Sequence, residues 1–493
     1  MDKATLRRLS DEATSVLLNK PGTISSRKGG WMMISTILIE AWDLYAIAFV
    51  LTFIKGEFKP TVGELGLASA AVQGGAMIGA LVGGWVADRL GRKKVFLLTM
   101  VLFVLLALAQ AFSRNIWDLI ILRFLIGFPL GSDISNGYAY IMESMAKGKR
   151  EEMGSRWQFM FGLGEILAII VVTILYLTGM HHDLLWRVAL ALGALPAALL
   201  LITRLDLPET PLSLLHRGKF REAKRVSKLL FDDDLAMLPD EDVELERPRV
   251  ADFLKVIWKD PIKKRATIFG WLSNACQGAE FSAWGFYLPT ILLVAGVAST
   301  TTDANGKPVD NILGNNIVTA GVFCLATVAG WLAPLLLKRI GHRGVAMWGY
   351  GLAFSGLMVG ALSLWRIDVA TAAHVSAHLW QILLVVGACM LMWGHYWDAS
   401  NCMTITSMVA PSRFKATASG FGYMFVKGAS FFSAFAFPVM DSAWGHVGAT
   451  LAVSLLSLTG FLGARFILPE IYNYVESEAV QGVPDKSAFE VVQ

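Results

Sequence analysis

Gly84-Trp85-Val86-Ala87-Asp88-Arg89-Leu90-Gly91-Arg92-Lys93 is a short charged turn set between two long apolar stretches. Each flanking stretch is long enough to cross a hydrocarbon layer of roughly 30 Å as a helix. Gly84 and Gly91 permit close packing and a sharp turn, while Asp88 and the Arg89, Arg92 and Lys93 cluster can form charge-assisted bonds. A faint copy occurs at 330–343, reading GWLAPLLLKRIGHR. Aligning Gly91 with Gly341 sets Arg89 over Arg339, Lys93 over Arg343 and Asp88 over Lys338. Both copies follow the second apolar stretch of their half of the chain. The spacing therefore predicts two parallel six-helix halves with a site between them near the bilayer midplane.

Composition agrees. Of 493 residues, 55% are hydrophobic and only 17% charged, with mean hydropathy +0.54. A water-soluble domain could not bury that much apolar surface. Backbone polar groups in lipid must bond within their own segment, which here selects helices. The expected spans are 31–55, 64–87, 95–113, 115–143, 157–180, 184–203, 266–295, 313–337, 344–364, 378–409, 417–440 and 446–468. With residues 1–30 in the cytoplasm and the spans alternating, 35 of the 43 Lys and Arg face the cytoplasm and 6 the other side. The positive-inside rule then places both termini in the cytoplasm. The net charge of +4 follows from that asymmetry and implies no nucleic-acid partner. Residues 1–30 lack the apolar core of a cleavable signal, so insertion is expected to begin with the first helix. Cys276, Cys324, Cys389 and Cys402 all fall in expected helices without metal-ligand spacing. The long polar interruption at 204–265, rich in Asp and Glu, reads as a solvated linker with short amphipathic helices.

Charged groups inside a span are costly, roughly 2.5–3.5 kcal/mol each, so each calls for a partner or a wet cavity. Glu40 and Asp43 share a face of the first helix. Asp133, Asn136 and Tyr140 share a face of the fourth, which also carries Arg123 and Glu143. Gln158 and Glu165 lie on the fifth. Gln277, Glu280, Trp284 and Tyr287 line the seventh, Asp398 and Asn401 the tenth, and Tyr423 and Lys427 the eleventh. A carboxylate held away from water can exchange a proton near neutral pH, which proton coupling requires. Asp43 and Asp133 are the leading proton-linked candidates, with Glu40 and Glu280 beside them. Lys427 is the candidate anion contact; Asn136, Tyr140, Gln158, Gln277, Trp284, Tyr287, Asp398, Asn401 and Tyr423 are candidate substrate residues. Arg123 and Glu143 are candidates for charge pairing. Aromatic walls with a few polar groups suit an organic ligand.

The 84–93 turn resembles the signature loop of the major facilitator superfamily, G-x-x-x-D-R-x-G-R-R/K, which implies a gating role for Gly84, Asp88, Arg89, Gly91, Arg92 and Lys93. Arg123-Phe-Leu-Ile-Gly127-Phe-Pro-Leu-Gly131-Ser-Asp133, with Glu143 beyond it, resembles the fourth helix of proton-coupled phosphate and organic-acid symporters. Glu40-Ala-Trp-Asp43-Leu resembles their D-x-x-D-L, and Val426-Lys427-Gly428-Ala429 their anion-binding G-K-x-G-A. Leu207-Pro-Glu-Thr-Pro211 resembles the segment after the sixth helix of sugar porters, and Leu468-Pro469-Glu470 repeats it. Ala283, four residues before Tyr287, replaces an Asp of the phosphate family, and His395-Tyr-Trp-Asp398-Ala-Ser-Asn401 replaces its N-F-G-P-N run.

These readings predict an all-α membrane protein of twelve transmembrane helices with the major facilitator fold. Its parts are a cytoplasmic segment 1–30, a half 31–203, a linker 204–265, a half 266–468 and a tail 469–493. The expected function is proton-coupled symport of a small organic anion, a carboxylate or aromatic acid, working as a monomer in a bacterial inner membrane without cofactor or metal. Sugar–proton and phosphate–proton symport, drug export and a nutrient-sensing receptor are the competing readings. No nucleophile–base spacing supports an enzyme.

Overall fold

The computed structural model describes residues 3–145, 149–243, 245, 250–298 and 311–472. Among these residues every regular element is helical, and the chain crosses the bundle twelve times. After α1 (Lys3–Asn19), the first crossing is α2 (Ile24–Ile34) with α3 (Thr36–Phe58). Then come α4 (Val62–Leu90), α5 (Arg92–Gln110), α6 (Ile116–Ser144), the short α7 (Lys149–Gly154) and α8 (Trp157–Leu177). The sixth crossing is α9 (His182–Ala191) with α10 (Ala194–Arg204). Short helices α11 (Pro211–His216), α12 (Phe220–Phe231) and α13 (Val250–Lys259) form the linker. The seventh crossing is α14 (Pro261–Glu280), a π-helical turn at Phe281–Gly285 and α15 (Leu288–Val294). Then α16 (Ile312–Ala372) and α18 (Lys415–Phe466), on either side of α17 (His378–Val409), each make two crossings. They break at Gly341 (φ 69°) and Gly445 (φ 70°), values that favour glycine.

Local signals set the ends. Thr61 and Glu64 form a reciprocal capping box at the start of α4. Asp260 accepts the N–H of Ile262 at 2.8 Å, and Pro261 opens α14. Two expected boundaries move. The first half begins at Ile24 rather than 31, because Ser26, Gly29 and Gly30 are buried, Ser26 donating to the Ser144 carbonyl at 2.5 Å. The linker expected from 204 begins after Arg204, which closes α10 and is fully buried.

The halves repeat one device. Gly91 (φ 97°) turns the chain between α4 and α5, and Gly341 turns it at the corresponding place in α16. Within the first half α4 and α6 touch through glycine. A Cβ on Gly75 or Gly79 would strike the carbonyls of Phe124 or Phe128, and one on Gly127 or Gly131 those of Val72 or Ala76. A second, smaller core lies outside the bundle. There Leu6, Ala13 and Leu17 of α1 pack on Leu212, Leu215, Phe220 and Leu230 of α11 and α12. Lys20 pairs with Asp233 beside it and holds that carboxyl below the usual range.

Candidate functional site

Glu40 of α3 and Lys427 of α18 form an ion pair across the seam between the halves, both almost completely buried. The Lys427 ammonium lies 5.0 Å over the Tyr423 ring. Beside the pair is a small space of about 20 Å3, room for about one water. Gln73 of α4, Gln158 of α8, Gln277 of α14, His395 of α17 and Lys427 line it, with Trp157 and Phe161 as walls. Gln73 Oε1, Gln277 Nε2, Trp157 Nε1 and His395 Nδ1 are buried without a hydrogen-bond partner. Buried polar atoms are normally paired, so a ring of orphans around one space marks a place where a ligand can supply the partners.

One turn beyond Glu40, Asp43 meets a different partner. Its Oδ2 is 3.4 Å from Arg123 Nη2 of α6. Arg123 is fully buried and also donates to the Ala68 carbonyl at 3.1 Å and to Gln110 at 3.2 Å. The guanidinium thus keeps backbone and amide partners if the carboxylate is neutralised.

The rest of that α6 face does not reach the central space. Asp133 accepts two bonds from Arg204 Nη1, at 2.8 and 2.9 Å, and one from Thr99 at 3.0 Å. Asn136 donates to the Arg92 carbonyl at 3.0 Å, and Tyr140 to the Pro208 carbonyl at 3.3 Å. Glu143 pairs with Arg92 at 2.5 Å and accepts from Thr210. The helical spacing put these residues on one face correctly. That face looks toward α5, α10 and the start of the linker, so Asp133, Asn136 and Tyr140 are not brought to the central space. Trp284 and Tyr287 also turn away: Trp284 donates to Thr450 at 3.0 Å, and Tyr287 donates to the Ala434 carbonyl at 3.0 Å and stacks on Phe437. The π-helical turn rotates them off the expected α14 face.

In the second half, Glu280, His395 and Asp398 each present a ligand-type atom within 4.8 Å of the others. His395 Nδ1 is 3.5 Å from Glu280 and 4.0 Å from Asp398, its ring stacked on Phe281. Ser457 donates to Glu280. The cluster can share protons or hold a cation. The Asn401 side chain lies outside the described residues. Tyr396 donates to Glu165, joining α17 to α8 across the seam.

The two ends of the bundle are shut differently. At the linker end the closures are polar. Asp88 accepts from the Thr417 N–H at 2.9 Å and hydroxyl at 2.5 Å while pairing with Arg92 at 2.7 Å. Glu151 faces His342 at 3.4 Å, Glu152 pairs with Lys338, and Arg413 with Asp11 at 2.5 Å. A Cβ on Gly84 would strike the Ala416 carbonyl, so glycine there lets α4 meet α18. Arg89 lies 4.0 Å over the Trp85 ring, and the Lys93 N–H faces Glu209 at 3.4 Å. Toward the opposite end the closure is aromatic. Tyr45 meets Phe281, Phe286 and Phe323 with ring centroids 5.0–6.3 Å apart and donates to the Gly285 carbonyl at 3.3 Å.

Sequence reasoning missed Gln73 and the partnership of Asp133 with Arg204. Gln73 was legible as a lone amide in the Ala/Gly-rich run of α4. Arg204 was counted among the linker charges.

Known proteins resemble the chain over most of its length. The family described as sugar (and other) transporter matches residues 31–474. A probable metabolite transport protein, CsbC of Bacillus subtilis, is 28% identical over 436 residues, 88% of this chain and 89% of that protein. The arabinose-proton symporter of Escherichia coli K12 is 28% identical over 346 residues, 68% of each. Among solved structures, the proton:xylose symporter XylE bound to 6-bromo-6-deoxy-D-glucose superposes with TM-score 0.70 at 18% identity, covering 91% of this chain and 97% of XylE.

Proposed function

The chain belongs to the sugar (and other) transporter family of the major facilitator superfamily, and from that premise we propose that it carries a small organic anion together with protons by alternating access. The observation that carries the reading is the buried Glu40–Lys427 pair beside the central space. A neutral sugar needs no buried ammonium, whereas a carboxylate does. Protonation of Glu40 releases Lys427 to a substrate carboxylate, so proton and anion replace one ion pair by another without leaving a charge unpaired. Asp43 is the second proton-linked group, since Arg123 retains other partners when Asp43 is neutral. The amides of Gln73, Gln158 and Gln277 add hydroxyl-reading capacity, so a hydroxylated carboxylate such as an aldonate or uronate suits the lining best.

The linker end faces the cytoplasm in this reading, following the Lys and Arg bias. Its polar latches hold that side shut while the aromatic closure at Tyr45 yields to the outside. Rocking of the halves then exposes the site to each side in turn. The same amides and the arabinose-transporting relative favour neutral sugar–proton symport as the second reading.

The test is substrate-induced alkalinisation of weakly buffered medium around proteoliposomes. Gluconate, galacturonate, succinate, benzoate, phosphate, arabinose and glucose form the panel. A signal with a carboxylate class, absent from empty liposomes, is expected. A signal with sugars alone overturns the anion reading and leaves Lys427 a structural charge.

A further inference from the structure

A second cavity, roomier than the central one, lies away from it. A space of about 370 Å3 opens at the linker end, between the 88–94 turn, residues 213–219 of the linker, Asp242 and Arg413. Arg89, Arg92, Lys94, Arg217, Lys219 and Arg413 contribute to its wall, against the two carboxylates of Asp88 and Asp242. Some of this charge is balanced nearby, Arg92 by Asp88 and Glu143, Arg217 by Glu209 and Arg413 by Asp11. Arg89, Lys94 and Lys219 make no ion pair among the described residues. Five polar atoms of the wall residues have no hydrogen-bond partner: the donors Arg89 Nε and Arg92 Nη1, Ser213 Oγ, His216 Nε2, and Asp88 Oδ1, which is ion-paired with Arg92 at 2.7 Å. Arg92 and Ser213 are more than nine-tenths buried. Burial, together with the positive charge of Arg413, Arg92 and Arg7, pushes His216 down to about 3. A neutral imidazole, a hydroxyl and a spare guanidinium N–H in a positive cavity are the donor set that a phosphate group takes.

The wall also spans moving parts. Arg413 belongs to the second half, Arg89, Arg92 and Lys94 to the first, and Ser213, His216, Arg217 and Lys219 to the linker. We propose that this cavity binds a phosphate-bearing anion and that the bound anion holds the linker end closed. A ligand whose site is complete in only one state shifts the equilibrium toward it. The phosphate could come from a soluble metabolite or from a lipid headgroup.

The first measurement is thermal unfolding of the purified full-length protein with sodium pyrophosphate, against sodium chloride of equal ionic strength. A rise in Tm of about 2 °C or more is expected, as for any ligand binding the native state alone. It should be lost in Lys219→Glu and Lys94→Glu, whose side chains are exposed on the rim and whose own Tm should match the wild type. The second arm repeats the melt in nanodiscs with and without phosphatidic acid. A rise with pyrophosphate that persists in both nanodisc types identifies a soluble ligand. A rise with phosphatidic acid alone, lost in the same variants, identifies a headgroup. No rise in either arm, or an equal rise in wild type and both variants, overturns the proposal. Neither arm needs a transport substrate, so its failure is separate from failure of the symport reading.

Discussion

The carboxylate of Glu470 accepts the backbone N–H of His342 at 3.0 Å, at the point where α16 turns on Gly341. Glu209 does the same for Arg92 at 2.9 Å, beside Gly91. The repeated Leu-Pro-Glu after the last crossing of each half is therefore a helix cap delivered from far along the chain. An acceptor at a helix N-terminus satisfies orphan N–H groups and complements the dipole. Glu209→Ala and Glu470→Ala should each cost about 0.5–2 kcal/mol, the usual range for a lost cap. Lowered Tm in both, with smaller losses for the Gln variants, checks this.

Glu40→Gln leaves Lys427 buried without its carboxylate. Breaking a buried pair costs about 3–5 kcal/mol, and removing both charges costs much less. The single variant should therefore melt lower than Glu40→Gln combined with Lys427→Gln. It should also keep substrate counterflow while losing accumulation against a gradient, because the exchangeable proton is gone. Full proton-driven accumulation by Glu40→Gln would remove Glu40 from the coupling scheme.

Asp43 and Asp133 should part company. Asp43→Asn is expected to abolish proton-driven uptake at near-normal Tm, since Arg123 keeps the Ala68 carbonyl and Gln110. Asp133→Asn strips the carboxylate from Arg204, which is fully buried. It should lower Tm sharply and reduce folded yield. Paired measurements of counterflow, uphill uptake and Tm separate the two behaviours.

His216 gives the stability of the linker face a pH dependence. Its folded value lies near 3 against 6.5 for a free imidazole, because burial and neighbouring guanidinium groups oppose its charge. The unfolded chain therefore binds the extra proton, and stability falls as pH drops below about 6.5. The loss between pH 6.5 and 5 is at most about 2 kcal/mol for one such group. Tm profiles should show this slope in the wild type and a shallower one in His216→Gln.

Much of the fold was legible because lipid imposes it. Hydropathy and the Lys/Arg bias yield twelve crossings, and 378–409 coincides with α17 to the residue. The π-helical turn at Phe281–Gly285 was not legible from helical spacing, and Trp284 and Tyr287 lie away from the central space. Glu40, Lys427, Asp43, Arg123 and Asp133 could each be found by their cost in an apolar span, but the sequence does not say which charge meets which. Glu40 meets Lys427, and Asp133 meets Arg204, only through tertiary packing. Arg204 sat at the very end of an apolar run, where a solvated charge is the default reading.

The small core outside the bundle also bears on synthesis. Thr23 bonds through its hydroxyl to the Leu229 carbonyl, 206 positions later, and the small core that holds α1 is built with α11, α12 and Leu235 and Leu238 beyond them. At ~5–20 residues per second, the amphipathic first helix leaves the ribosome roughly 10–40 s before anything exists to cover it. Six crossings must be inserted in that interval. The apolar stripe of Leu6, Ala13 and Leu17 therefore needs a temporary shelter on the nascent chain, at the bilayer surface or on a chaperone, before it reaches its place beneath the finished linker.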